Sequence, residues 1–260
     1  WKSTNQGENW LQILEDCFIK NNHLAINSSN EVVVHYFDNK HIFLLSTDYG
    51  ETWIEWDHNL KADYNDLRDI KFHNNKLFVL YNDYYGERGI FYSMNLDSNW
   101  KCIDSLQQAE YISYIDVLND SCYAVVGKKQ RNSGDYFVFL TSNNGKGWSD
   151  IKLPDRPYFI DYFSKEDIFF GTPHGLYLLK NKKEFKLITT DTLIVLGMSI
   201  PNRREIYIGT DDFVFISLDS GKTWQQSKNG LEHLGDEFGW RHRGIYNVIP
   251  DDNGNLYAQT

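Results

Sequence analysis

The chain has little of what usually marks a function class. Its 260 residues include only three cysteines, five prolines and two methionines. Cys17, Cys102 and Cys122 form no CxxC pair and no zinc spacing, so they give neither a disulfide framework nor a thiolate metal centre. Each is expected as a buried free thiol beside an apolar strand. No run of 18 apolar residues occurs and no signal peptide stands in the sequence, so direct membrane insertion is not expected. No Pro/Gly/Ser tract or low-complexity stretch marks a linker, and residues 1–260 are expected to form one domain. Basic residues are in deficit, 26 against 36 acidic ones, for a net charge of −10. Such a field repels phosphates and argues against nucleic acid as a partner. Neither a cofactor nor a metal is expected.

What the chain does have is aromatic residues and a repeat. Four eight-residue segments share the frame Ser/Thr-x-Asp/Asn-x-Gly-x-x-Trp. Their frame positions are Ser3, Asn5, Gly7 and Trp10; Ser46, Asp48, Gly50 and Trp53; Thr141, Asn143, Gly145 and Trp148; and Ser217, Asp219, Gly221 and Trp224. Strand-type runs such as His41-Ile-Phe-Leu-Leu45 and Phe213-Val-Phe-Ile216 precede them, and a second strand begins at the Trp. Each segment therefore reads as a hairpin turn. The Gly supplies positive φ, the Asp or Asn accepts turn amides, and the Trp folds back beneath.

These residues resemble the Asp-box, or bacterial-neuraminidase, repeat found in sialidases, sortilin-type receptors, the photosystem II assembly propeller and many bacterial surface proteins. The resemblance spans nearly the whole chain and implies a structural role for the box residues.

The Trp positions 10, 53, 100, 148 and 224 lie 43, 47, 48 and 76 residues apart. The double interval conceals a worn copy over 175–185 with Phe185 in the Trp position, and 93–100 is another worn copy with Asp97 in place of the Gly. Two further strands precede each box. Four antiparallel strands per unit of about forty residues predict an all-β, six-bladed β-propeller. The chain starts in a third strand and stops after a second, so one blade is expected to be shared between the N- and C-terminal strands, removing the open edges. The mid-blade start and missing initiator Met suggest processing or trimming.

Box turns should share one face of the ring. A ligand is expected on the other, where inter-blade and second-to-third-strand connections meet. The longest such connection, 229–243, carries Trp240, Arg241, His242 and Arg243, suited to stacking on a sugar or clamping an anion. Tyr84, Tyr85 and Arg88 in 82–88, and Arg131 in 128–135, should project from the same face. His174 reads as a solvated lone imidazole, and Asn27 and Asn119 head glycosylation-type triplets.

The function expected is a non-enzymatic interaction module for a protein or glycan, acting as a monomer outside the cytoplasm. The alternatives are a sialidase-like glycoside hydrolase, a sensor domain of a bacterial signalling receptor, and an assembly factor. The resemblance implies that a sialidase needs three arginines, a Tyr nucleophile raised by a Glu and an Asp acid/base, with an Arg-Ile-Pro segment ahead of the first box. No Arg-Ile-Pro occurs; Val248-Ile-Pro250 and Ser199-Ile-Pro201 lack the Arg, and the spacing of the eight arginines selects no triad.

Overall fold

The structure, a computed structural model, describes residues 1–13, 23–29, 31–37, 40–60, 67–82, 88–104, 106–201, 204–227, 244–251 and 255–259. These residues form strands and turns and contain no helix. Strand β1 (Lys2–Ser3) opens the chain. Blade I is β2 (His23–Ile26), β3 (Val32–Phe37), β4 (His41–Ser46) and β5 (Ile54–Glu55). Blade II is β6 (Leu67–His73), β7 (Lys76–Asn82), β8 (Arg88–Met94) and β9 (Lys101–Asp104). Blade III is β10 (Tyr111–Asn119), β11 (Cys122–Lys128), β12 (Phe137–Thr141) and β13 (Ser149–Lys152). Blade IV is β14 (Phe159–Tyr162), β15 (Ile168–Thr172), β16 (Gly175–Lys180) and β17 (Glu184–Leu187). Blade V is β18 (Val195–Ser199), β19 (Ile206–Thr210), β20 (Val214–Ser217) and β21 (Gln225–Ser227). Blade VI is built from both ends of the chain, with β22 (Asn247–Pro250) and β23 (Leu256–Gln259) joined by β1 in the order β22-β23-β1. All pairs are antiparallel meanders, and the six-bladed propeller expected from the repeat is the observed architecture.

Closure is a backbone event. Lys2 stands opposite Tyr257 and Ser3 opposite Leu256. Trp1 and Ala258 exchange two hydrogen bonds of 2.9 Å. Leu11 supplies the fourth position of the blade through a two-bond bridge to Lys2, each bond 2.8 Å. Side chains lock the joint to its neighbours: Lys2 Nζ donates to Tyr49 O of blade I at 2.8 Å, and Trp10 Nε1 donates to Ser227 Oγ of blade V at 3.3 Å.

The core is six seams rather than one centre. Each hydrophobic cluster among the described residues joins two adjacent blades, and a strand's alternation decides which seam a residue serves. In β11, Tyr123 and Val125 pack toward blade II, while Ala124 and Val126 pack toward blade IV. In β15, Phe169 faces blade V and Phe170 faces blade III. Second strands are therefore apolar on both faces, which is why Tyr123-Ala-Val-Val126 reads as a continuous apolar run. Burying one such side chain contributes about 1.5–3 kcal/mol.

The repeated turns work as their composition suggests, with two additions. Asp48 Oδ1 accepts Thr52 N at 2.9 Å, Asp219 Oδ1 accepts Thr223 N at 2.8 Å, Asn143 Oδ1 accepts Gly147 N at 2.9 Å and Asn5 Oδ1 accepts Asn9 N at 3.0 Å. The first addition is the leading hydroxyl. Ser3, Ser46, Thr141 and Ser217 accept the Gly N–H at 2.9, 2.8, 3.2 and 2.8 Å, and each donates to its Asp or Asn. The second is that the residue before the Gly is also left-handed: Tyr49 has φ 62° before Gly50 at 83°. In the worn copy, Asp97 has taken over the acceptor role, receiving Ser93 Oγ at 3.1 Å and Asn99 N at 2.9 Å. Trp10 is buried, whereas Trp53, Trp148 and Trp224 are half-buried lids over their turns. Two expectations need correction. Cys102 is exposed, because β9 is an outermost strand whose residues meet solvent; Cys122 is buried as expected, and Cys17 lies outside the described residues. Asn27 is buried, its side chain spent on Ser29 N and Glu31, so it is no accessible glycosylation acceptor.

Ser46→Ala should lower stability by about 1–3 kcal/mol by orphaning the buried Gly50 N–H, read as a shifted urea midpoint. Deleting residues 1–10 should destabilise the whole ring; an unchanged thermal unfolding curve would contradict the closure described. The hydroxyl and amide of Thr52 hold the Asp48 carboxyl at about 2, and those of Thr223 do the same for Asp219. Their stabilisation is complete above the ordinary carboxylate value of 3.8 and is lost as pH falls toward 2. Replacing both by Asn should flatten the acid limb of the stability profile over that interval.

Candidate functional site: the axial channel and its loop-face mouth

Inner strands contact one another in order around the axis, with β22 reaching β2, and enclose a cavity of about 920 Å³. In an up-down-up-down blade the box turns and the first-to-second-strand turns share one end. The starts of the inner strands, the inter-blade connections and the second-to-third-strand connections share the other. That second end is the loop face.

Three inner strands carry an extra residue near their start. Register breaks between Leu67 and Asp69, Ile112 and Tyr114, and Val195 and Gly197 leave Arg68, Ser113 and Leu196 unpaired, and all three line the cavity. Bulges re-aim side chains at such rims. Gly197 lets the backbone come in close here: a Cβ on it would lie 2.2 Å from Tyr246 O of blade VI.

Arg68, Tyr111 and Tyr158 line the cavity, and Arg156 follows in the short inter-blade connection on the same face; the two guanidinium Cζ atoms lie 5.6 Å from the Tyr111 ring (Arg68) and 5.5 Å from the Tyr158 ring (Arg156). Arg68 Nε and Nη2 donate to Asn82 O at 3.3 and 3.2 Å, which fixes the guanidinium against blade II. Neither guanidinium is ion-paired with a carboxylate among the described residues. Tyr246, 54% exposed, completes an aromatic rim.

Deeper in lies a charge cluster. Lys71 Nζ is 3.2 Å from Asp116 Oδ1 and 3.6 Å from Asp161 Oδ2. Asp69 Oδ2 accepts Ile115 N from blade III at 2.9 Å, and Asp116 Oδ2 accepts Tyr162 N from blade IV at 2.6 Å. Each carboxylate thus bolts its inner strand to the next. Burial pushes Asp69 up to about 7 and Asp161 well above its ordinary range, with the Asp116 charge adding to both. Lys71 is raised, held charged against the burial penalty by Asp116, Asp161 and Asp69.

Of the residues expected to bind ligand, Tyr84, Tyr85, Trp240, Arg241, His242 and Arg243 lie outside the described residues. Arg88 and Arg131 meet opposite ends of one inter-blade connection, 106–110: Arg88 Nε donates to Leu106 O at 3.4 Å, and Arg131 N donates to Glu110 Oε2 at 3.0 Å. His174 is not simply solvated; its Nδ1 lies 2.6 Å from Asp155 Oδ2. Sequence reasoning missed Arg68, Arg156 and the Lys71 cluster. A signal was present, because Asp69, Asp116 and Asp161 recur at intervals of 47 and 45, the period of the boxes.

No protein-family model matches this sequence, and no curated protein sequence does. Solved structures do match. The chain aligns over 96% of its length, and 81% of the other chain, with YCF48 bound to D1 peptide, at 13% identity and a TM-score of 0.56. It aligns over 91% of its length with a GH74 xyloglucanase from Xanthomonas campestris, at 13% identity and a TM-score of 0.54. It aligns over 96% of its length with the extracellular domain of a putative hybrid two component system from B. thetaiotaomicron, at 14% identity and a TM-score of 0.56. This chain spans 43% and 31% of the latter two. The shared property is the fold. This is a β-propeller.

Lys71→Met should cost about 3 kcal/mol at pH 8 by leaving buried carboxylates uncompensated; this is the low end for such a loss, because Lys71 keeps 35% of its side-chain surface open. The cost should shrink at pH 5, where Asp69 and Asp161, both raised by burial, take up protons. Urea unfolding at the two pH values checks both statements.

Proposed function

We propose that the chain is an Asp-box propeller acting as a non-enzymatic interaction module, which recognises an acidic group of a protein or glycan ligand at the loop-face mouth of its axial channel. Residues 1–260 work as one domain, as a monomer, outside the cytoplasm. The observation that carries this reading is the pair of arginines near the mouth, each with its guanidinium within cation–π reach of a tyrosine ring and neither guanidinium ion-paired with a carboxylate among the described residues, in a chain of net charge −10. A guanidinium fork is suited to a carboxylate or sulfate. Tyr246 extends the contact surface, and Arg88, Arg131, Tyr84, Tyr85, Trp240, Arg241, His242 and Arg243 are proposed on the sequence as further ligand contacts. YCF48, solved with a bound D1 peptide, supports a protein ligand, and the extracellular domain of the two component system supports the location and keeps the sensor reading open.

The hydrolase alternative asks for an activated tyrosine. Tyr114 is the channel phenol on which both Asp69 and Arg156 act, and burial pushes it up, away from a nucleophile's requirement.

Peptide and glycan arrays should return binders whose signal falls at least about tenfold in Arg68→Gln/Arg156→Gln and is kept in Lys146→Ala on the opposite face. Turnover of a fluorogenic sialoside, abolished by Tyr114→Phe, would replace this reading with the hydrolase.

A further inference from the structure

Four of the eight histidines stand at a single seam, the one between blades I and II. His23 of β2 is directly opposite His35 of β3, and their rings stack at 5.5 Å. His35 Nε2 lies 2.9 Å from His41 Nδ1 of β4. His58 follows, its Nε2 3.2 Å from His41 O and its ring 4.6 Å from Phe43. His23, His35 and His41 share the strand face that carries Ala25, Val33 and Phe43 into the blade II seam.

This row is a poor place for a charge. His35 is 1% exposed, its neighbours include His23, His41, His58 and the Phe43 ring, and its Nδ1 has no hydrogen-bond partner among the described residues. His23 faces the Arg68 guanidinium as well as Asp69, whose Oδ1 is 3.9 Å from its Nδ1, and its Nε2 is also without a hydrogen-bond partner among the described residues. On its other side blade I meets blade VI without histidines among the described residues: Leu24 and Val32 pack with Tyr257, and Lys2 Nζ and the Tyr257 hydroxyl both donate to Tyr49 O, at 2.8 and 3.0 Å.

We propose that the imidazole row is an acid-sensitive clasp: neutral, it closes the seam between blades I and II, and protonation opens the ring there. The device is independent of what the loop face binds. Burial lowers His35 well below the imidazole value of 6.5 and takes His23 to about 3. The stability these two supply is therefore complete above 6.5 and is lost as pH falls below it. Asp69, raised to about 7, acts in the opposite sense, stabilising at acid pH and losing that effect as pH rises through 7. Acid thus loosens blade I while the carboxylate bolts joining blades II, III and IV hold, so opening is local to one sector.

The test is amide hydrogen exchange on the full chain from pH 7.5 to 5, corrected for intrinsic rates, with the imidazole resonances titrated by NMR in parallel. Below about pH 6.5, protection at Val33 and Phe43 in blade I should fall about tenfold more per pH unit than at Val125 and Phe139 in blade III. His35→Phe should reduce that excess and His23→Phe/His35→Phe should remove it. Parallel loss in both blades, an excess that survives His23→Phe/His35→Phe, or a His35 imidazole titrating near 6.5 would each overturn the proposal. The wild-type measurements decide the matter even if the variant does not fold.

Discussion

The pairing of β1 with β23 is the constraint on which the rest depends. A blade buries both faces of its middle strands only if it has a neighbour on each side, and a linear array always leaves two blades half-wet. Joining Lys2 and Ser3 to Tyr257 and Leu256 removes those two edges with a few backbone hydrogen bonds between residues more than 250 positions apart. Six seams become possible where an open chain has five. The axial cavity exists for the same reason, since its wall is the set of inner strands and closes only when β22 meets β2.

That wall is where the fold collects its polar residues. Outer turns satisfy their backbone locally, through a hydroxyl and a carboxylate or amide in the same eight residues. Inner strands have no such local partner on the channel side. Blades II and III therefore send Asp69 and Asp116 across to the next blade's amides, and Lys71 neutralises the resulting negative charge. Blade I meets blade II with imidazoles instead. The ring is consequently uneven electrostatically: carboxylates join three successive blades, and neutral bases sit at the seam before them.

The boxes were readable because everything they need lies within eight residues: hydroxyl, acceptor, left-handed pair and aromatic lid. Blade number followed from their period, and the shared blade from strand count. The arginine–tyrosine mouth was not readable in the same way. Arg68 reaches Tyr111 only because two inner strands are neighbours and a bulge turns Arg68 toward the axis. Length singles out the connections 229–243 and 82–88 in the sequence, whereas Arg156 sits in a short connection. The exposure of Cys102 is hidden for a related reason, since strand-type composition does not reveal which strand of a blade is outermost.

By itself the sequence determined the all-β meander, its period, the turn chemistry and the joining of the two ends, because each is set by residues close together or by a simple repeat. Only the tertiary structure decided which side chains meet across seams. Two strands forty-odd residues apart have no local chemistry in common, and the register of their blades around the axis alone places a lysine among carboxylates or an imidazole against an imidazole.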